Sequence, residues 1–281
     1  LVDLIAYKKG TYSAMDGDFS AAGSARLEYR KSLDGHLAEV TAGANGYKRL
    51  LLAGSPKRQD GQWLYGLEVF KNDGPWLVPE NYQKLNGVLS YSDGTRLNGY
   101  SVTGMLYKSS WISTDQVPLR AINQGLIGRF GSLDPTTGGE THRYSVSSQW
   151  AQTGKDRQTK ANFWALDSAL DLWSNFEYCT GSIEKTGNCA AGDQFKQAEK
   201  RKAFGFGLSE ARYHQLSLLN SKYESAFTFG VDGRSDHIFP VGLYKTTRRA
   251  VTETVREDAV TQSSVSLWAQ NEIRWTSTIR S

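Results

Sequence analysis

The 281 residues are 39% hydrophobic and 12% aromatic, too apolar a mixture for a disordered chain, and long enough for one large domain or two ordinary ones. The longest unbroken apolar stretches run only a few residues, as in Leu50 to Ala53, against about 20 for a membrane-spanning helix. A formal charge of +4, from 33 Lys and Arg against 29 Asp and Glu, is too weak and too well mixed an excess to point to nucleic acid.

Residue 1 is Leu, with no charged start and short apolar core. Trp275 to Ser281 read as the opening of a further strand. The chain is therefore expected to be an internal piece of a longer protein, and missing terminal signals say nothing about destination.

Along the chain the recurring signal is period-two alternation, at 36–45, 62–71, 82–91 and 99–111. From Tyr144 to Trp150, Tyr144, Val146 and Trp150 share one face with Ser148, opposite Ser145, Ser147 and Gln149. From Trp164 to Phe176 the apolar face carries Trp164, Leu166, Leu170 and Leu172, opposite Asp167 and Asp171. The pattern returns at 196–208 and 222–232. It closes with Val265, Leu267, Ala269, Ile273 and Trp275 against Ser266, Gln270, Glu272 and Arg274. No segment sustains a 3.6-residue period, so the expected class is all-β.

The connections alternate in length. Short turns such as Ser92-Asp93-Gly94-Thr95 and Thr153-Gly154-Lys155-Asp156 follow every second strand. Long excursions are expected at 72–81, 112–141, 177–195 and 233–256. All six prolines fall between the expected strands, where a missing backbone donor does no harm. Short turns on one rim, long loops on the other and strands of about ten residues are the pattern of an antiparallel transmembrane β-barrel. Trp63, Trp150, Trp164 and Trp275 all sit at short-turn ends on the apolar faces, as in an interfacial belt. The competing reading is a soluble β-sandwich with tryptophans near its edges.

Two stretches carry a resemblance. Tyr7-Lys8-Lys9-Gly10-Thr11-Tyr12-Ser13-Ala14, followed by Gly17-Asp18-Phe19-Ser20-Ala21-Ala22-Gly23, resembles the end of the plug domain of TonB-dependent outer-membrane receptors. Thr11 stands where that family usually has Pro, and Asp16 where an aromatic is common. Asn72-Asp73-Gly74-Pro75-Trp76, Gly125-Leu126-Ile127-Gly128-Arg129-Phe130-Gly131, and Val241-Gly242-Leu243-Tyr244 with Arg256-Glu257-Asp258 are similar to barrel sequences of the same receptors.

The resemblance implies that residues 1–33 are the C-terminal end of a plug and residues 34–281 the N-terminal part of a barrel. That part would be about ten strands of a plugged wall of about 22. It implies residence in the outer membrane of a Gram-negative bacterium, among its lipids. It implies energy coupling to the TonB protein through a region preceding these residues. The implied cargo is a scarce bulky nutrient, by default a ferric siderophore, with cobalamin, other metal chelates or oligosaccharides as alternatives. Uptake would be force-driven plug rearrangement, with no covalent step and no cofactor. A passive porin is the first alternative, against which the plug-like segment 4–31 speaks. A soluble all-β binding module is the second, in which Phe204, Phe206, Leu208, Phe227, Phe229 and Val231 would pack inward.

Cys179 and Cys189 lie in one expected outer loop, and an oxidising compartment favours a disulfide between them. It would close about ten residues and constrain the unfolded chain by roughly 2–3 kcal/mol. The alternative of a metal or redox pair has no His in that loop to support it. From loop position, Trp111, Arg120, Arg129, Phe130 and His142 are candidate ligand contacts. Asp236 and His237, with Asp232, are expected in another long loop, facing either a chelate or only solvent. Glu39, Glu68, Lys84, Asp167, Asp171, Glu199, Arg201, Glu272 and Arg274 are expected on the lumen side, with Arg26, Glu28 and Arg30 of the plug as polar partners. No Ser-His-Asp order, HExxH, P-loop or dinucleotide turn is present, so no catalytic or metal-binding residue is assigned and an enzyme is not expected.

Overall fold

The computed structural model describes residues 1–10, 14–16, 20–56, 61–113, 116–177, 193–218 and 221–281. Cys179 and Cys189, and with them the expected disulfide, lie outside the described residues.

Two sheets form. The first is an antiparallel hairpin of β1 (Val2–Lys9) and β2 (Gly23–Tyr29), with a single helical turn at Ala14–Asp16 between them. The second is a wall of ten strands: β3 (Leu37–Ala42), β4 (Lys48–Gly54), β5 (Gln62–Asn72), β6 (Tyr82–Gly94), β7 (Gly99–Ile112), β8 (Gly138–Thr153), β9 (Arg157–Ser174), β10 (Gln194–Leu218), β11 (Ser221–Thr247) and β12 (Ala250–Arg274). Each strand pairs antiparallel with its neighbours in sequence, from β3 to β12 without a crossover, and β3 and β12 do not pair with each other. A short helix, α1 (Leu119–Asn123), interrupts the β7–β8 connection.

The register sorts the side chains onto two faces. One row joins Leu67, Gly87, Leu106, Tyr144, Asp167 and Lys202 across β5 to β10. The row beside it joins Tyr65, Leu89, Gly104, Val146, Ala165 and Phe204. This outer face exposes large apolar side chains on every strand but β4, among them Leu89, Val146, Phe163, Phe204, Phe206 and Leu208, with Leu267 of β12 84% accessible. A water-facing sheet would not do this over nine strands. Phe227, Phe229 and Val231 lie on the same outer face as Phe204, Phe206 and Leu208, opposite to their placement in the soluble-module reading.

The apolar band has a lower border of aromatics, with Trp63 against Tyr91 and Tyr91 against Tyr100. Its upper border is set by Lys108, His142, Asp167 and Lys202. The eight steps from Tyr100 to Lys108 cover about 26 Å of strand at 3.3 Å each. At barrel tilt this is on the order of 20 Å of height, near the ~25 Å of an outer-membrane band.

The inner face carries the hairpin. A side chain on Gly66 would meet Leu1 Cδ1 at 2.4 Å. Arg96, in the short β6–β7 turn, pairs with Asp3 of β1 at 3.4 Å and with Glu28 of β2. Lys31 Nζ donates to the Gly94 carbonyl at 3.3 Å.

Three expectations are corrected, and one strand is new. The span 233–256 is not a loop: β11 and β12 run through it, joined by the two-residue turn Arg248-Arg249 at φ 49 and 69. Above the lipid band both faces of these strands are wet, so alternation fades while the hydrogen-bond ladder continues. Pro240 accordingly lies inside β11, at the register shift between Ile238 and Val241, where a bulge leaves its nitrogen without a ladder role. Strand β4 contains the apolar run Leu50–Ala53, which has no alternation to reveal it. Finally, β9 is turned over. Trp164, Leu166, Leu170 and Leu172 face inward, and Asp167 and Asp171 face outward, by their register with Ser147, Ser145, Thr141, Gly139, Tyr144 and Glu140.

Candidate functional site: the inner wall and its upper rim

Alternation along β4 to β8 places aromatic and charged side chains together on the upper inner wall, opposite the apolar band. Tyr47, just before β4, meets the Phe70 ring edge-on at 5.1 Å, and Phe70 meets Tyr82 at 5.5 Å. Lys84 Nζ sits 5.2 Å over Phe70 and 2.8 Å from Glu68. Glu68 also takes the Arg49 guanidinium at 2.7 Å, and Arg49 reaches Glu39 at 2.8 Å. These charges are balanced and half-buried, so they stiffen the wall more than they attract a ligand.

Next to this panel is a hollow of about 270 Å³ on β7 to β10, lined by Tyr107, Thr141, Arg143, Ser168, Leu170 and Glu199. The Tyr107 hydroxyl donates to Ser109 Oγ at 3.1 Å. Arg143 is exposed, and no carboxylate among the described residues lies within ion-pair distance of it. A free guanidinium beside a phenol and two hydroxyls is suited to an anionic, oxygen-rich ligand, because its fork of donors matches carboxylate geometry.

In the same row on β10, Arg201 binds Glu199 at 2.9 Å and Asp236 at 3.2 Å, and Arg234 binds Asp236 at 2.5 Å. Arg234 also lies 5.6 Å over the Trp164 ring.

The rim is built by Asp134 and Arg249. Asp134 accepts from Thr136 Oγ1 at 2.5 Å, Asn175 Nδ2 at 3.0 Å and Gln194 Nε2 at 2.9 Å. Burial pushes its carboxyl up, but these donors outweigh burial and hold it below the usual carboxylate range. Arg249 donates to the carbonyls of Thr136 (2.7 Å), Thr137 (3.3 Å) and Trp111 (3.3 Å), and its guanidinium lies 4.6 Å over Trp173. Gln194 joins the two groups, accepting from the Arg249 backbone and from Thr246 at 2.8 Å each.

The sequence candidates scatter. Trp111 is at the top of β7 on the inner face, its ring over Gly139. Arg120 is on α1. Arg129 and Phe130 are exposed in the β7–β8 connection, with Phe130 5.9 Å from Trp76. His142 is corrected from a loop to β8, on the outer face, against Asp167 at 3.0 Å and stacked on Tyr144 at 5.0 Å. Asp236 and His237 are corrected from a loop to β11, the first buried inward, the second facing out toward Thr261 at 3.1 Å. Of the hairpin residues, Glu28 meets the wall at Arg96 while Arg26 binds Glu28 at 2.7 Å and Arg30 approaches Asp3 at 3.9 Å. The sequence reading missed Tyr47, Phe70, Tyr82, Tyr107 and Arg143. Their signal was present, as the residues alternating with Val69, Leu85, Leu106 and Tyr144.

No family model matches the sequence, and neither does any curated protein. Solved structures do match. The siderophore receptor PiuA from Acinetobacter baumannii aligns over 97% of this chain and 45% of its own, at 13% identity and a TM-score of 0.63. The fold is that of the barrel wall of the TonB-dependent receptors. The ferric citrate transporter FecA, in its unliganded form, aligns over 92% of this chain and 38% of its own, at 9% identity and a TM-score of 0.61. The chain thus spans less than half the length of either protein. At these identities the likeness is one of fold.

Proposed function

We propose that this chain is part of a TonB-dependent outer-membrane receptor that takes up a bulky metal chelate, by default a ferric siderophore. One observation carries the reading: the β1–β2 hairpin is held against the inner face of a lipid-facing wall by the ion pairs of Arg96. An open porin has no use for such an obstruction, and a soluble module has no use for the outer band. In this reading residues 1–33 end the plug and residues 34–281 belong to the barrel. Arg143, Tyr107 and the Phe70–Tyr82 panel meet an anionic chelate in the lumen, and Trp111, Arg120, Arg129 and Phe130 guard the approach. The wet ion pairs of Arg96 are worth about 0–1 kcal/mol each, which suits a plug that must shift under force. Transport needs no covalent step, so the protein is not an enzyme and needs no cofactor. Its partners are TonB, contacted outside these residues, and outer-membrane lipid.

The test is growth of cells on ferric chelates as sole iron source, with the complete gene intact, deleted, or intact without TonB. Growth lost in both deletion strains supports the reading. TonB-independent growth together with steady ion conductance in planar bilayers would favour a passive porin instead.

A further inference from the structure

The outer face has a feature that the uptake reading leaves unused. An apolar groove of about 830 Å³ runs across β5 to β10, between the two outward rows that pass through Leu106 and Val146. Its floor is the bare backbone of Gly104 and the small side chain of Ala165. A Cβ on Gly104 would have nothing nearer than the Leu89 carbonyl at 4.0 Å. Leu106, Tyr144, Val146 and Phe204 wall it. Asp167 and Lys202 stand at its upper edge. Two residues further up their strands are Lys108 on β7 and Lys200 on β10, in register through His142 and Ala169.

The charge at this edge is unbalanced. Each outer-face carboxylate of β8 and β9 already has a partner of its own. Asp167 has His142 at 3.0 Å, Asp171 has Lys196 at 2.9 Å, and Glu140 has Arg249 at 4.0 Å. Lys108, Lys200 and Lys202 are exposed, and no carboxylate among the described residues lies within ion-pair distance of any of them. Three unpaired ammonium groups at the top of an apolar groove match one ligand shape, an acyl chain below and an anionic phosphate above.

We infer that this groove is a binding site for an anionic phospholipid-type molecule. One acyl chain lies over Gly104 and Ala165, and the phosphate lies among Lys108, Lys200 and Lys202. The inference rests on the membrane reading above but not on the identity of the cargo.

The experiment is native mass spectrometry of the protein expressed from its complete gene and purified in detergent. Phosphatidylglycerol is added, or phosphatidylcholine of the same acyl composition. The wild type is expected to retain phosphatidylglycerol at least tenfold better. The triple variant K108Q/K200Q/K202Q loses that preference, and Gly104→Leu, which fills open space, loses both lipids. Equal retention of the two lipids by the wild type, or undiminished retention by Gly104→Leu, would overturn the site. A protein that selects the anionic lipid yet supports no chelate uptake would sink the cargo reading alone. One that stays soluble without detergent would sink both.

Discussion

Trp164 occupies the space that any side chain at Gly205 would need. The two residues are register partners on β9 and β10, and a Cβ at Gly205 would come within 2.6 Å of the indole. The arrangement recurs where Trp268 of β12 covers Gly230 of β11, with the Trp268 Nε1 donating to Asp232 at 2.5 Å. Both indoles face inward, so they belong to the wall's inner lining and not to its lipid belt.

Gly205→Ala is therefore expected to destabilise the wall by about 1–3 kcal/mol, the usual cost of overpacking. Urea unfolding in detergent measures it. The same change in a Trp164→Ala background should cost less than half as much, because the collision is gone. Equal cost in both backgrounds would mean that the glycine is needed for some other reason.

Arg249→Ala removes three carbonyl contacts and the stack on Trp173. Charge-assisted hydrogen bonds and a partly desolvated cation–π contact together suggest about 2–3 kcal/mol of local stability. Amide hydrogen exchange should then speed up roughly 30- to 160-fold around Thr136 and Thr137. Arg249→Lys, which keeps the charge but not the fork, should fall between. Unchanged exchange in the alanine variant would show that Gln194 and Asp134 hold the rim by themselves.

Acid should loosen the same rim. The Asp134 carboxyl is depressed in the folded protein, so its stabilising contribution is complete above the ordinary aspartate value of about 3.9. It is lost as pH falls through the lower folded value. Limited proteolysis of the β7–β8 connection is expected to accelerate only below about pH 4. In Asp134→Asn that pH dependence should vanish, with cleavage already raised at neutral pH. A wild-type transition near pH 6 would instead point to a histidine.

Arg143→Ala should weaken binding of an anionic ferric chelate, since a free guanidinium on a carboxylate is worth about 1.5–3 kcal/mol. Tryptophan fluorescence titration would read this as a Kd rise of roughly 10- to 150-fold. Lys84→Ala should do less to binding, because Lys84 already serves Glu68 at 2.8 Å. If the two variants behave alike, the hollow at Arg143 is not where the chelate sits.

Much of the wall was readable from alternation alone. Strands β5 to β8 fall where period two is clean, and the short turns after β6 and β8 fall where the sequence placed them. What alternation cannot supply is which face is which when both are mixed. On β9, Asp167 and Asp171 looked lumenal because they are charged, but they stand at the edge of the apolar band, Asp167 hydrogen-bonded to His142 and Asp171 paired with Lys196. Leu166, Leu170 and Leu172 looked lipid-facing and are not. The inner hollow was harder still. Tyr107, Arg143 and Ser168 come from three strands, and no local pattern announces that they share one row.

The rim has a consequence for assembly. Arg249 grips Thr136 and Trp111 across 113 and 138 residues of chain, while the strands between are each paired to an immediate neighbour in sequence. Hairpins can zip up one after another from β3 onward, and Asn175 and Gln194 can hold Asp134 once β9 and β10 are in place, but the Arg249 clamp on the β7–β8 connection waits for the β11–β12 turn. Contacts so distant in sequence are the slow ones to form. The Arg249 side of the upper edge therefore sets last, and a protease meeting the nascent protein would find that connection only half secured after the strands beneath it had closed.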